Sequence, residues 1–595
     1  MKNFLVTTPI KESYGPLNKN IFLGSWCFAE EVDDKKKYKT INYHWSDKKK
    51  FKKDSVYIDK ITGKLCNLLS KNLNKIHNLN EDSKYWNLLI YPWTHNYVST
   101  MYERWESIQK LLKSNKETIF NSYELKINEK NLTSKNHLDF IKNTFKDTWN
   151  HIVFLRIIKY LNLKKINLIK KNYRAFNKES EVKLSIEKKN IFYYLISLYE
   201  LIIAKFAFRF NKIIFESFSF PTKEFFKISI KNLIIPSLYK NLFEDIGSKE
   251  DINLNKRKIE FKHFKKNNSK DKFFNFLYDN LINDLPASYF ENFLVIKKKM
   301  SYLANKKKFI ISMRSWNYND QFKICAAELV KKKSTYFTCE HGGGLVGEFM
   351  NLKNYNGKIV NHIHYDVDSL YRKKSARLSP TINVIDKGEI NTENNKKLNI
   401  TFLEGAKYSH KIMSSAKAEE GINQISELFS FIDSLPSKIK NNVLLRAKRP
   451  YTLNIKKRFE RKFGKEKFND NWKENFFDFA KSSKLMIVNY PQTAFSSCMY
   501  YNVPTILVCN KKYWFFKKKS LKMFNLLKKN NMAFENFEDA QKYIEKNWEE
   551  IYYWWNNKKI QKIRKLFLKD FFNIEENGLA NWLNFVSIQK KIIFK

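Results

Sequence analysis

From residue 306 to residue 344 the chain reads as strand, helix and strand, then a histidine followed by three glycines. The run KFIISM at 308–313 is a short apolar strand. Residues 320–333 place Phe322, Cys325, Ala326, Leu329 and Val330 on one helical face. TYFTCE at 335–340 is the next strand and leads directly into His341. A strand-helix-strand unit that ends in a glycine-rich loop commits the chain to an α/β fold with parallel sheet.

A second alternating series begins near 398. LNITFLEG reads as a strand, and residues 413–435 as a helix with Ile422, Ile425, Leu428, Phe429, Ile432 and Leu435 on one stripe. NVLLRA (442–447), KLMIVNYP (484–491) and PTILVC (504–509) follow as strands, with helices near 454–463, near 472–480 and from about 493. This predicts a second doubly wound domain. The C-terminal stretch is helical, with Tyr543, Ile544, Trp548, Ile551, Tyr552 and Trp555 on one face.

The chain has 595 residues, enough for two or three domains. In the first 110 residues, IFLGSW (21–26) reads as a strand turning at Gly24, and LLIYPW (88–93) as a strand stopped by Pro92. Between them Ile58, Ile61, Leu65, Leu68, Leu69, Leu73 and Ile76 recur at helical spacing. Residues 110–300 are rich in Lys and Asn, poor in glycine and mostly helical in pattern. The predicted organisation is two Rossmann-like lobes. The first spans 1–395, with a largely helical insertion at about 110–300; the second spans 396–595 and includes the C-terminal helices.

Charge narrows the function classes. The net charge is +50, but the lysines are spread along the whole chain and are joined to no nucleic-acid motif. No nucleic-acid partner is expected. The excess fits a compositional bias of the sequence, or a basic surface for phosphate-bearing substrates or an anionic inner membrane. The six cysteines form no CxxC pair, which fits a reducing cytoplasm. The first residues lack the apolar core of a signal peptide. The most apolar stretch, 191–215, is broken by Glu200, Lys205 and Arg209, so it predicts a buried or a membrane-facing helix and not a spanning one.

Three segments could carry chemistry. The first is Glu340-His341-Gly342-Gly343-Gly344, conspicuous in a chain with only 14 glycines. Glycines let a ligand approach main-chain amides, and a strand's C-terminal end is where α/β sheets bind ligands. His341 suits a general base, with Glu340 to orient it; a plain tight turn is the other reading. The second is the run 489–495, NYPQTAF, between a strand and a helix. Gln492, Thr493 and Ala494 would offer helix N-terminal amides to a phosphate, or Thr493 would merely cap the helix. The third is the cluster Arg446, Lys448 and Arg449 at a strand end, suited to a diphosphate or to solvent. Arg314, Asp320 and Glu404 lie near predicted strand ends or helix starts and are candidate substrate contacts. His362, His364, Asp366 and Asp368 alternate by chance more readily than they form a metal site. No metal and no cofactor is expected, because no acidic DxD pair stands in a suitable loop.

Taken in order, these segments resemble a family of transferases encoded in O-antigen and other surface-polysaccharide gene clusters. The resemblance rests on FLVTTPIKESY (4–14), FLGSWC (22–27), YHWSDKKK (43–50), LNKIH (73–77), YWNLLIYPW (85–93) and ERW (103–105). It continues through DQFKICAAE (320–328), EHGGG (340–344), LLRA (444–447), NYPQTAF (489–495), NVPTI (502–506) and the tryptophan pair at 554–555. It implies a GT-B-like architecture and transfer of a sugar from a nucleotide-activated donor to a glycan or lipid-linked glycan. It also implies Gln where this chain has Glu340, Tyr-Gly where it has Leu345-Val346-Gly347, and a donor-binding Glu where it has Ser497. Polyol-phosphate transfer and a non-catalytic scaffold are the alternatives.

Overall fold

The computed structural model describes residues 3–29, 39–173, 191–239, 242–243, 252–262, 270–346, 355, 358–367, 375–381, 390–409, 418–449, 451–471, 474–511, 514–574 and 578–594. Asp368, Gly347 and the start of the helix expected at 413–435 lie outside the described residues. The named strands form three sheets of five, and every pairing between them is parallel.

The first sheet holds β1 (Asn3–Val6), β2 (Asn20–Phe22), β3 (Lys39–Thr40), β4 (Phe120–Leu125) and β5 (Ile166–Lys171), in the order β3-β2-β1-β4-β5. The second holds β6 (Ile213–Glu216), β7 (Phe309–Ser312), β8 (Thr335–Cys339), β9 (Asn361–His364) and β10 (Ser375–Arg377), laid down side by side in chain order. The third holds β11 (Lys397–Phe402), β12 (Val443–Ala447), β13 (Ser483–Val488), β14 (Thr505–Val508) and β15 (Ala533–Phe534), in the order β12-β11-β13-β14-β15. The chain is thus α/β with parallel sheets, as its strand-helix-strand pattern predicts. Two expectations are corrected: there are three sheets, and residues 110–300 are more than a helical insertion. They supply β4 and β5 to the first sheet and β6 to the second. β4 and β5 escape a hydrophobic pattern because FNSYEL and INLIKK mix apolar with polar residues. Lysines on β5 suit a sheet edge, where charge blocks further pairing.

The helices follow from caps and stripes. Helix α1 (Lys48–His77) starts where the Asp47 carboxylate accepts the amides of Lys49 at 2.8 Å and Lys50 at 3.3 Å. It ends at Asn78, which takes the left-handed conformation at φ 50°. Helix α2 (Ser83–Ser114) is capped by Asp82 and packs on α1 as a helical hairpin. The strand expected at 88–93 lies inside α2, with Pro92 in the helix. Every residue from Leu88 to Trp105 is buried, so the segment shows no polar face and no helical period. Helix α3 (Ile191–Phe210) is the stretch expected to be buried or membrane-facing; it leaves a long apolar side exposed. Among the described residues no helix is long and apolar enough to cross a membrane.

Helices α4 (Thr222–Asn232), α5 (Phe293–Leu303) and α6 (Asp320–Lys331) belong to the second sheet's connections, and α6 joins β7 to β8. Around the third sheet, α7 (Ala418–Ser434) follows β11 and α8 (Thr493–Tyr501) joins β13 to β14. Helix α9 (Lys558–Phe572) packs on α8, and α10 (Gly578–Phe594) returns to the second sheet, where Trp582 meets Phe215 at 6.4 Å. The third sheet's unit also grips the first: Lys407 Nζ and Tyr408 Oη both reach the Asp147 carboxylate at 2.8 Å, and Arg458 Nη2 donates to the Ala29 carbonyl at 2.6 Å.

Candidate active site

The third sheet reverses its winding between β11 and β13, and a doubly wound sheet binds ligands beyond the strand ends at such a point. Asn489 fixes this crevice. Its side chain accepts the Leu403 amide at 2.7 Å and donates to the Leu403 carbonyl at 3.0 Å, tying the ends of β11 and β13 together. Glu404 follows β11 and is buried, its carboxylate accepting the amides of Leu453 at 2.9 Å and Ile455 at 3.3 Å. Burial pushes the Glu404 carboxyl up to about 7, against the pull of those amides.

Beyond β13 the chain turns through Tyr490 and Pro491 into α8. Thr493 is the first helical residue, so it is not the cap; Gln492 is, and its side chain makes no capping hydrogen bond. The first-turn amides of α8, those of Thr493, Ala494 and Phe495, are therefore without a side-chain cap, in contrast with the Asp and Asn caps of α1, α2 and α6. Ala494 and Ser497 are buried in the helix wall.

Facing this helix end is the loop after β8. Glu340 is buried and anchors that loop to β9: it accepts the Tyr365 amide at 3.2 Å, and Tyr365 Oη donates to its carbonyl at 2.7 Å. The glycines that follow lie against the third sheet's loop. A Cβ on Gly342 would fall 2.1 Å from Thr493 Oγ1, one on Gly343 2.4 Å from the Phe572 ring, and one on Gly344 2.6 Å from the Pro491 carbonyl oxygen. The Val346 amide then donates to that carbonyl at 3.3 Å. Three consecutive glycines are thus required by close approach, which a simple tight turn does not explain. The loops after β8 and β13, read separately in the sequence, form one junction.

His341, half-exposed, directly precedes the glycines of that junction. Arg314, just beyond β7, places Nη2 3.1 Å from His341 Nε2 and Nε 3.3 Å from Nδ1, and its Nη2 also reaches Ser219 Oγ at 3.3 Å. Arginine offers only donors, so the imidazole meets it with a nitrogen lone pair. The ends of β6, β7 and β8 converge here.

A model of the LIC12162 family transferases matches residues 3–586. The chain belongs to the LIC12162 transferase family. No curated protein matches it. The match runs through all three sheets and both loops of the junction, so this LIC12162 family transferase carries the junction inside its family-defining span.

Other predicted residues of the transferase are placed differently. Lys448 is exposed beyond β12, with its amide bound to the Phe402 carbonyl at 2.9 Å. Arg446 lies in the crevice wall over the Phe479 ring and donates to the Glu474 carbonyl at 3.0 Å. Arg449 turns to the Asp470 carboxylate at 2.5 Å, which Lys456 shares. Asp320 points into the core, where it accepts Tyr289 Oη and pairs with Lys323, each at 2.7 Å. The sequence reading passed over Glu216, at the end of β6 beside Arg314. Glu216 is buried, accepts hydrogen bonds from Ser312 at 2.6 Å and Ser315 at 2.5 Å, and has its carboxyl raised by burial. The one signal for it was an acidic residue closing the apolar run IIFE.

Proposed function

We propose that this transferase moves a sugar from a nucleotide-activated donor to a glycan or lipid-linked glycan of a surface polysaccharide, of the O-antigen or capsule type. The reaction site is the junction between the second and third sheets, in a GT-B-like arrangement. The observation that carries the reading is the packing of Gly342 on Thr493 and of Gly344 on Pro491 and Gln492, which brings the loop that carries His341 to an uncapped helix N-terminus.

In this mechanism the donor's phosphates rest on the first-turn amides of α8, where the helix dipole favours negative charge. Lys448 and Arg446 supply further positive charge from the end of β12. The acceptor hydroxyl displaces Arg314 from the imidazole lone pair of His341 and gives its proton to the nitrogen freed there as its oxygen bonds the anomeric carbon. The bond from that carbon to the donor phosphate breaks, and the nucleotide leaves with the electron pair. Amides and cations stabilise that departing charge. Until the acceptor arrives, Arg314 holds the His341 ring in place. The enzyme works in the cytoplasm, where nucleotide sugars are made.

A thermal-shift screen of nucleotide sugars, CMP-linked acidic sugars and CDP-polyols tests the reading. A nucleotide sugar is expected to raise the midpoint. Protection by CDP-polyols alone would replace sugar transfer with polyol-phosphate transfer, and no shift with any nucleotide would favour a non-catalytic scaffold.

A further inference from the structure

Helix α3 presents half its circumference to solvent, and that half is apolar apart from Lys205 and Arg209, which lie between the apolar side chains. Leu198, Leu201, Ile202 and Phe206 recur at helical spacing and are exposed, Leu201 at 66% and Ile202 at 65%. The opposite side, with Ala204, Ala207 and Phe208, is buried. Exposed single hydrophobics are ordinary, but a contiguous apolar stripe marks an interaction surface. The side of α5 next to it continues the pattern with exposed Val295 and Tyr302. Lys205 of α3 and Lys299 of α5 lie close enough to repel, which, after partial burial, lowers the Lys299 ammonium.

Among the described residues of the segments that carry this face, the exposed charges have one sign. In the described residues of 191–233 and 293–308, every acidic side chain is buried: Glu200, Glu216 and Glu224. Glu200 is spent inside, accepting the amides of Leu238 at 2.7 Å and Tyr239 at 3.0 Å. The exposed ionic groups there are all cations, among them Lys205, Arg209, Lys227, Lys298 and Lys299. An apolar stripe whose exposed charges, among the described residues of these segments, are all cations matches a surface that is apolar beneath and anionic on top. A protein partner would need an acidic rim around an apolar groove, whereas a bilayer with anionic headgroups supplies both layers at once.

We propose that the exposed half of α3, with the adjoining side of α5, seats this transferase on an anionic lipid bilayer. The helix lies in the interface plane: its apolar side chains enter the acyl boundary, and Lys205, Arg209 and Lys299 stay at headgroup level. The proposal does not depend on the chemistry of transfer, because the face lies outside the β8–β13 junction.

Flotation with phosphatidylcholine vesicles, with and without phosphatidylglycerol and with no donor or acceptor, tests it. The native chain is expected to float with the anionic vesicles and to stay behind with the neutral ones. The triple variant Leu201→Ser, Ile202→Ser, Phe206→Ser should lower the bound fraction at least about tenfold. Lys205→Glu with Lys299→Glu should do the same on the anionic vesicles, by about tenfold or more. Val56→Ser with Tyr553→Ser, exposed apolar residues elsewhere, should change nothing. Unchanged thermal midpoints show that each variant is folded. Equal flotation of native and triple variant overturns the proposal. So does a native dimer in light scattering that the triple variant splits, since the face would then be covered by a second copy.

Discussion

Gly342 and Thr493 belong to loops of different sheets, yet a Cβ on Gly342 would lie 2.1 Å from Thr493 Oγ1. Nothing larger than a hydrogen fits between them. Gly342→Ala must therefore push the two loops apart, at a cost of about 1–3 kcal/mol. The change should lower transfer at least about tenfold, since a displaced reacting group loses its alignment. Steady-state rates and denaturant unfolding of the variant check both parts.

Gly63 is the contrasting case. It sits within α1 with open space around its missing side chain. Gly63→Ala should stabilise the protein by roughly 0.5–1 kcal/mol and leave transfer unchanged. Urea unfolding midpoints measure the gain.

His341 and Arg314 should separate chemistry from stability. His341→Ala is expected to lower kcat by about 10²–10⁴-fold with little change in donor KM, as the loss of a proton acceptor does. Arg314→Lys keeps the charge but loses the fork that spans both imidazole nitrogens, and should give a smaller fall in kcat. Both residues face solvent in part, so thermal midpoints should hardly move.

Stability should depend on pH through buried groups of opposite sign. Burial, with repulsion from neighbouring cations for the last two, brings His151, His362 and His364 down to about 4, about 3 and about 4. They fold neutral, so stability is lost as pH falls below the free value near 6.5 and each must take up a proton. Glu404, raised to about 7, acts the other way: its contribution is full below about pH 4.5 and is lost as pH rises towards 7. The three histidines outweigh it, so unfolding free energy should fall from pH 6.5 to pH 4. Between pH 4.5 and 7, the difference between native protein and Glu404→Gln should drift by an amount on the order of 3 kcal/mol, the native form losing with rising pH. Denaturant titrations across that range measure it.

The legible part of this chain was the part with period and punctuation. The third sheet is bounded by turn residues and amphipathic helices, and four of its five strands are legible to within three residues at either end, while the two-residue β15 is not. The glycine run stood out because glycine is rare here. Other features had no local signal. Residues 88–93 look like a strand because α2 is buried on every side, which removes the polar face a helix normally shows. β4 and β5 hide among lysines and asparagines. The contact of Gly342 with Thr493 joins residues 151 positions apart, and no local pattern encodes such a pairing. The exposure of α3 depends on which side its neighbours cover, so a buried helix and a surface-seeking one have the same composition.

The central claim is that transfer occurs where the β8 loop meets the N-terminus of α8. The most direct test is calorimetric titration of the nucleotide sugar selected by thermal shift, paired with single-turnover nucleotide release, for native protein, His341→Ala and Lys448→Ala. The account predicts that His341→Ala binds the donor like the native chain but releases nucleotide at least about a hundredfold more slowly. It predicts that Lys448→Ala binds the donor several-fold more weakly. Native-like release from His341→Ala, with donor binding unaffected by Lys448→Ala, would contradict it.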